Sequence, residues 1–117
     1  MEIGYSGVAY AAHKLCLPYK SHCSVTHGHS YYIDIKVKVQ QLNEEGMVID
    51  YTQLKNVIDT LDHCYLNDIV SQPTAENIVN YLLDQIETLI TQDGTITVRV
   101  SETERSYASN TRVIRRK

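Results

Sequence analysis

The stretch from His27 to Gln40 constrains the fold most strongly, because apolar and polar residues alternate along it without interruption. Residues of one parity are histidine, tyrosine or β-branched aliphatic, in the order His27, His29, Tyr31, Ile33, Ile35, Val37 and Val39. Side chains alternate between the two faces of a strand, so this row predicts a β-strand with one buried face. The two histidines open the buried row, where an unpaired imidazole is costly. The pattern therefore favours a metal ion or a fixed hydrogen-bond partner at that end.

The segment Cys23–Ser30 reads Cys-Ser-Val-Thr-His-Gly-His-Ser and predicts the functional site. We expect His27 and His29 to bind a metal ion, and Cys23 to work beside it as a base or nucleophile. His13 belongs to an earlier predicted strand with small side chains. A single histidine there is more often structural, so His13 joins the site only if the other two histidines converge on it.

The remaining periodicity predicts two helices and three further strands. Apolar stripes at helical spacing predict helices over residues 51–61 and 74–90, with Asp50 and Thr74 as N-caps. Alternating residues predict strands over 5–15, 96–101 and 107–114, and residues 16–26 are predicted to form a loop. The order β-β-α-α-β-β indicates an α+β fold, an antiparallel four-stranded sheet with both helices on one face. Such a sheet leaves edges and one face uncovered, so we expect a homo-oligomer.

Two polar groups interrupt this pattern. Glu102 continues the apolar parity of the third strand, so its carboxylate either turns to solvent or meets a specific donor. Asp62 and His63 follow the first helix. They are either a surface acid and a cation that is favourable at a helix C-terminus, or a pair in which the carboxylate orients the imidazole.

The composition predicts one globular domain over residues 1–117, since 43% of the residues are hydrophobic and 21% are charged. Cys16, Cys23 and Cys64 cannot all pair, and we expect free thiols. No apolar run is long enough to cross a bilayer, and the first residues lack a signal-peptide pattern. We therefore expect a cytoplasmic protein without a membrane partner.

Charge is unevenly distributed along the chain. Between residues 44 and 104, twelve acidic residues accompany two basic ones, which argues against a nucleic-acid partner. Four of the last six residues are basic, namely Arg112, Arg115, Arg116 and Lys117. We expect a solvated tail; the alternatives are contact with phosphates or with the acidic middle of a neighbouring subunit.

Several short motifs occur in one order along the chain. They are Ala11-Ala12-His13, Cys23-x3-His27-Gly28-His29, Val48-Ile49-Asp50-Tyr51, Leu61-Asp62-His63 with Leu66-Asn67, Pro73-Thr74-Ala75-Glu76-Asn77 and Glu102-Thr103. Together they resemble the 6-pyruvoyltetrahydropterin synthase superfamily over about residues 5–107. Within it the chain is most similar to the 6-carboxytetrahydropterin synthases of queuosine and 7-deazaguanine biosynthesis, because three residues separate the cysteine from His-Gly-His.

The resemblance implies the tunnelling fold (T-fold), with six subunits as two stacked trimers and a zinc-containing active site at each subunit interface. It implies His13, His27 and His29 as zinc ligands. Three protein ligands with an open fourth position are typical of catalytic zinc.

The resemblance also implies a role for each remaining site residue. Cys23 matches the catalytic cysteine, and Asp62 with His63 matches a proton-handling pair that a neighbouring subunit contributes. Glu102 matches the residue that holds the pterin ring, and Thr74 matches a pterin contact. The implied substrate is 7,8-dihydroneopterin triphosphate, a small-molecule pterin, converted to 6-carboxytetrahydropterin, acetaldehyde and triphosphate. The candidate triphosphate-binding cations are Lys14, Lys20 and the basic C-terminal residues.

Three alternatives stay open. In the first, the chain is a 6-pyruvoyltetrahydropterin synthase, a related enzyme with a different product. In the second, it is a metal-binding assembly protein without catalysis. In the third, a zinc finger is formed by Cys16, Cys23, His27 and His29, and the metal is structural and fully coordinated.

Overall fold

The structure is a computed structural model that describes residues 1–19 and 21–116, with only the backbone of His22. Lys20 and Lys117, two of the cations considered for the triphosphate, lie outside the described residues. None of the helices in the described part of the chain has the length and apolar character that a membrane span requires.

Four strands form one antiparallel sheet in the order β1-β2-β3-β4. They are β1 (Glu2–His13), β2 (His27–Val39), β3 (Gly94–Thr103) and β4 (Ser106–Ile114). The predicted β-β-α-α-β-β order is confirmed. β1 begins earlier than the predicted residue 5, because β2 is thirteen residues long and pairs along its length, up to Glu2 opposite Lys38.

The helices α1 (Tyr51–Asp59) and α2 (Ala75–Glu87) cover one face of the sheet. Both predicted N-caps are confirmed: the Asp50 side chain accepts the N–H of Thr52, and the Thr74 side chain accepts the N–H of Asn77. Each helix ends two or three residues before its predicted limit. The residues beyond continue in turns rather than in α-helix, with Leu89 N–H bonded to Ile86 O.

The core lies between the sheet and the helices. It contains the inner rows of the two central strands and the apolar stripes of both helices, including Ile33, Ile35, Val37, Ile96, Val98, Leu54, Ile58, Ile78, Leu82 and Ile86. Alternate residues of β2, such as Asp34 and Lys36, lie on the opposite face, which is exposed. The alternation that defined the strand in the sequence therefore separates a buried face from a polar one.

Two basic residues near the C-terminus contact the end of α2 of the same chain. The Arg112 guanidinium donates to Asp84 at 2.6 Å and to Glu87 at 3.2 Å. The Arg116 guanidinium donates to the backbone oxygens of Ile90 and Glu87. The expectation of a solvated tail is therefore wrong for these two arginines. Arg112 forms ion pairs with two carboxylates of α2, and the cation of Arg116 is favourable next to the carbonyl groups that end the helix.

Candidate metal centre

The pairing of β1 with β2 brings three histidines together at one end of the sheet. His13, the last residue of β1, pairs with His27, the first residue of β2, while Ala11 pairs with His29. These residues share one parity, so all three imidazoles lie on the face that the helices cover. The ring centroids of His13 and His27 are 4.6 Å apart, and those of His27 and His29 are 4.8 Å apart. The structure thus brings His13 to the two histidines of the His-Gly-His motif.

Backbone carbonyls determine the orientation of two of these rings. Nδ1 of His13 lies 2.7 Å from the oxygen of Pro73, and Nδ1 of His27 lies 2.7 Å from the oxygen of Val25. A carbonyl only accepts, so both rings carry their proton on Nδ1 when they are neutral. Their Nε2 atoms, which lie 3.0 Å apart, then present lone pairs to each other. A cation between the two nitrogens relieves this repulsion, so the donor set fits a metal ion.

The third imidazole has an unsatisfied nitrogen at the same place. Nε2 of His29 is buried and, among the described residues, no group meets it in hydrogen-bonding geometry. Glu102 Oε1 lies only 2.8 Å away, close to the nitrogen but out of line for an N–H donor. The ligand atoms of His13, His27, His29 and Glu102 all lie within 4.8 Å of one another. This group could bind a metal ion, because imidazole and carboxylate are common metal ligands.

Burial and the Glu102 carboxylate act in opposite directions on the imidazoles. Burial lowers the pKa of His13, but the Glu102 carboxylate and the Pro73 carbonyl raise it, and the net pKa is raised. For His29, burial outweighs the attraction of the carboxylate, and the pKa is lowered. The pKa of Glu102 is itself lowered, first by its contact with His13. Glu102 is therefore an anion at neutral pH, and His29 offers an uncharged nitrogen.

Cys23 lies in a short 3-10 turn, His22–Ser24, beside the end of β1. Its backbone oxygen accepts the N–H of Leu15 at 2.7 Å, two residues beyond His13. The side chain is half-buried, and the three cysteines are free thiols. The turn therefore joins the cysteine segment to the strand end that carries the first histidine.

Asp62 and His63 lie on the outer edge of β1, outside the four-residue cluster. Asp62 Oδ1 accepts the N–H of Tyr10 at 2.8 Å, and Oδ2 lies 2.9 Å from His63 Nδ1. The N–H of His63 donates to Tyr10 O at 2.6 Å, and its φ of 56° turns the chain sharply. The imidazole is 79% exposed. Within a single chain, Asp62 and His63 are therefore not brought to the three histidines, and the His63 imidazole faces outwards.

Thr74 lies next to Pro73, whose oxygen contacts His13, and its side chain caps α2 by accepting the N–H of Asn77 at 3.1 Å. No sequence pattern predicts the orienting carbonyls of Pro73 and Val25. Backbone carbonyls carry no residue-type signal, so only the fold reveals them.

The parity of Tyr31 predicts a core residue, but its hydroxyl also borders the cluster. Its ring packs edge-on against His13 and His29, with centroids 5.8 Å and 5.5 Å away. The hydroxyl is buried and has no hydrogen-bond partner among the described residues. Burial, followed by the Glu102 carboxylate, raises its pKa, so the phenol stays protonated. Its position in the row that begins with His27 and His29 was the available signal.

The fold and the cluster identify a T-fold protein with a candidate metal centre. The family model described as 6-pyruvoyl tetrahydropterin synthase matches residues 9–112, and the chain belongs to this family.

Two relatives and one solved structure illustrate the similarity. A Bacillus subtilis 6-carboxy-5,6,7,8-tetrahydropterin synthase is 30% identical over 110 residues, covering 83% of this chain and 75% of that protein. A Pyrococcus horikoshii relative is 42% identical over 53 residues, 45% of this chain; the match spans only 33% of that relative's length. The structure of Caenorhabditis elegans 6-pyruvoyl tetrahydropterin synthase superposes with a TM-score of 0.72 at 23% identity, covering 94% of each chain. That likeness concerns the fold.

Proposed function

We propose that the chain is a zinc-dependent 6-carboxy-5,6,7,8-tetrahydropterin synthase of queuosine biosynthesis, acting on 7,8-dihydroneopterin triphosphate. The observation that carries the proposal is the convergence of three imidazoles whose ring nitrogens face one another. It is supported by the named activity of the Bacillus subtilis relative, which this chain resembles over 83% of its length.

His13, His27 and His29 would hold the zinc ion through Nε2, because Nδ1 of His13 and of His27 contacts a backbone carbonyl. When bound, zinc supplies Lewis-acid polarisation of the oxygens on the substrate side chain. Carbonyls that keep the Nδ1 proton in place also make each ring a better ligand. These ring nitrogens are therefore oriented for coordination before the ion binds.

Cys23 acts as the base: its thiolate removes a proton from a carbon of the substrate side chain. Asp62 and His63 move the other protons, with the carboxylate fixing the imidazole through the 2.9 Å contact. The exposure of His63 at the edge of β1 supports its use in the site of a neighbouring subunit. Glu102 accepts the 2-amino and ring N–H groups of the pterin, and Thr74 contacts the ring. Loss of triphosphate and cleavage of the side chain, with one water molecule consumed to form the carboxyl group, then give acetaldehyde and the 6-carboxyl product.

The proposal includes a hexamer of two stacked trimers in the cytoplasm. Its support is that β1 and β4 are edge strands and that the face of the sheet opposite the helices is exposed and polar. Sheet edges and an open face are features that oligomerisation covers.

The decisive assay incubates purified, zinc-loaded protein with 7,8-dihydroneopterin triphosphate and follows trapped acetaldehyde and the pterin product by mass spectrometry. We expect equimolar acetaldehyde and 6-carboxytetrahydropterin. A 6-pyruvoyl product without acetaldehyde would identify the sister activity instead. No turnover, with Cys23→Ala leaving every measured property intact, would favour a non-catalytic metal-binding assembly protein.

A further inference from the structure

We propose that Glu102 is a fourth, exchangeable ligand of the metal ion that the three histidines hold, bound to the ion in the resting protein and released when a pterin ring enters. This inference rests on the proposed function. It gives one carboxylate two alternating partners, the ion and the pterin.

The backbone leaves Glu102 outside the hydrogen-bonding ladders on both sides of β3. The pairing of β2 with β3 ends at Tyr32 and Ser101. On the other side, Ser101 pairs with Tyr107 and Thr103 pairs with Ser106, so the register shifts at Glu102. Such a β-bulge leaves a residue unpaired and redirects its side chain. The bulge explains how a carboxylate comes to lie among the imidazoles.

The distances suit coordination. Glu102 Oε1 lies 2.8 Å from His29 Nε2 and 3.4 Å from His13 Nε2, while the Nε2 atoms of His13 and His27 are 3.0 Å apart. Ligand atoms of a tetrahedral zinc site are separated by about 3.3 Å when the bonds are about 2.0 Å long. All four possible ligand atoms lie within 4.8 Å of one another. The carboxylate oxygen is therefore close enough to join the three nitrogens around one ion, next to a nitrogen with which it makes no hydrogen bond.

The same side chain also borders an open space. A cavity of about 460 Å³ is lined by Ala75, Glu76, Glu102, Ser106, Tyr107, Ala108 and Ser109. Glu102 thus lies between the imidazoles and this cavity, with its side chain 23% exposed. Rotation about its own bonds moves the carboxylate from the ion towards a ligand in the cavity. That movement opens the fourth coordination position when substrate is present, so the ion is closed to water and other anions at rest.

Glu102→Gln tests the ligand, and Glu76→Gln is the matched control, because Glu76 lines the same cavity but lies outside the cluster. Zinc affinity is measured by competition with a chromophoric chelator, and ligand number by the d–d absorption of the cobalt(II)-substituted protein. We expect Glu102→Gln to weaken zinc binding by about tenfold or more and to change the cobalt spectrum. Glu76→Gln leaves both as in the wild type.

Exchange is tested on the wild-type chain, so a variant that fails to fold does not remove the test. Pterin without a side chain offers no side-chain hydroxyl to the ion. Added to the cobalt protein, it is expected to shift the spectrum towards that of Glu102→Gln. Pterin binding is followed by pterin fluorescence. If pterin binds and the cobalt spectrum of the wild type does not change, the proposed exchange is wrong. If wild type and Glu102→Gln have equal cobalt spectra and equal zinc affinities, Glu102 is not a metal ligand.

These outcomes are separable from those of the activity assay. If the protein turns over substrate but Glu102→Gln does not change its cobalt spectrum, only the role of Glu102 as a metal ligand is refuted. A responsive spectrum in a protein that converts no substrate refutes only the reaction. A wild-type chain that takes up neither zinc nor cobalt refutes both.

Discussion

The ring of His13 is hydrogen-bonded to the backbone of Pro73, with Nδ1 and the carbonyl oxygen 2.7 Å apart. Pro73 immediately precedes Thr74, whose side chain caps α2. His13 is fully buried, so its ring has no room to reorient independently. The start of α2 therefore determines the orientation of a candidate metal ligand sixty residues away in the chain.

Thr74→Ala removes the cap, so we expect it to lower the free energy of unfolding by about 1 kcal/mol. Because the cap positions the carbonyl of Pro73, zinc affinity is expected to fall as well. Thr74→Ser keeps the capping oxygen and serves as the control. Urea denaturation of the metal-free proteins and zinc competition measure the two effects. Equal stability of the alanine and serine variants would contradict the capping role.

Removal of His13 tests the metal centre against the zinc-finger alternative. We expect zinc to copurify with the wild type and to be lost in His13→Ala, because the remaining histidines no longer supply three nitrogens. The double variant Cys16→Ala with Cys23→Ala is expected to retain it. Elemental analysis after dialysis measures both. Zinc that persists in the histidine variant but leaves the double cysteine variant would establish the finger instead.

Cys23→Ser tests the base. A hydroxyl is a far weaker base than a thiolate at neutral pH, so we expect kcat to fall by about 10²-fold or more with the zinc content unchanged. Cys16→Ser is the control, since Cys16 is exposed and has no role in the proposed reaction. Comparable rates for the two variants would exclude Cys23 from proton transfer.

Asp62 is expected to make stability depend on pH. The Tyr10 N–H, followed by His63, lowers the pKa of the Asp62 carboxyl. A lowered pKa means that the ionised group stabilises the fold above about pH 4, the ordinary aspartate value, and that this stabilisation disappears as the pH falls through the folded-state pKa. The stability difference between wild type and Asp62→Asn should therefore shrink from pH 6 to pH 3, measured by urea denaturation in EDTA. A difference that stays constant over this range argues against the linkage.

Two glycines are expected to respond differently to alanine. A Cβ on Gly94 would lie 2.5 Å from the oxygen of Lys38, which requires a backbone shift and is expected to cost about 1–3 kcal/mol. A Cβ on Gly28 would meet only Ala11 O, at 3.6 Å, an ordinary contact. We expect the free energy of unfolding of Gly28→Ala to lie within about 0.5 kcal/mol of the wild-type value. Lost activity or altered assembly in that stable variant would assign the glycine to a substrate or to a second chain. Equal destabilisation of both variants would contradict the prediction.

The fold followed from local patterns to a large extent. The alternation from His27 onwards gave the limits of β2, and Asp50 and Thr74 marked the starts of both helices. These features depend on residues within one or two turns of chain, where periodicity and capping act directly. The beginning of β1 was missed, because an edge strand extends as far as its partner allows and the partner lies elsewhere in the sequence.

The sequence by itself determined that His27 and His29 share a face, because the two-residue repeat of a strand is local. Only the tertiary structure decided that His13 lies opposite His27, that Glu102 contacts the imidazoles, and that Asp62 binds the outer edge of β1. Strand register, a bulge and edge contacts join residues far apart in the chain, and their energies depend on packing that no short window of sequence contains.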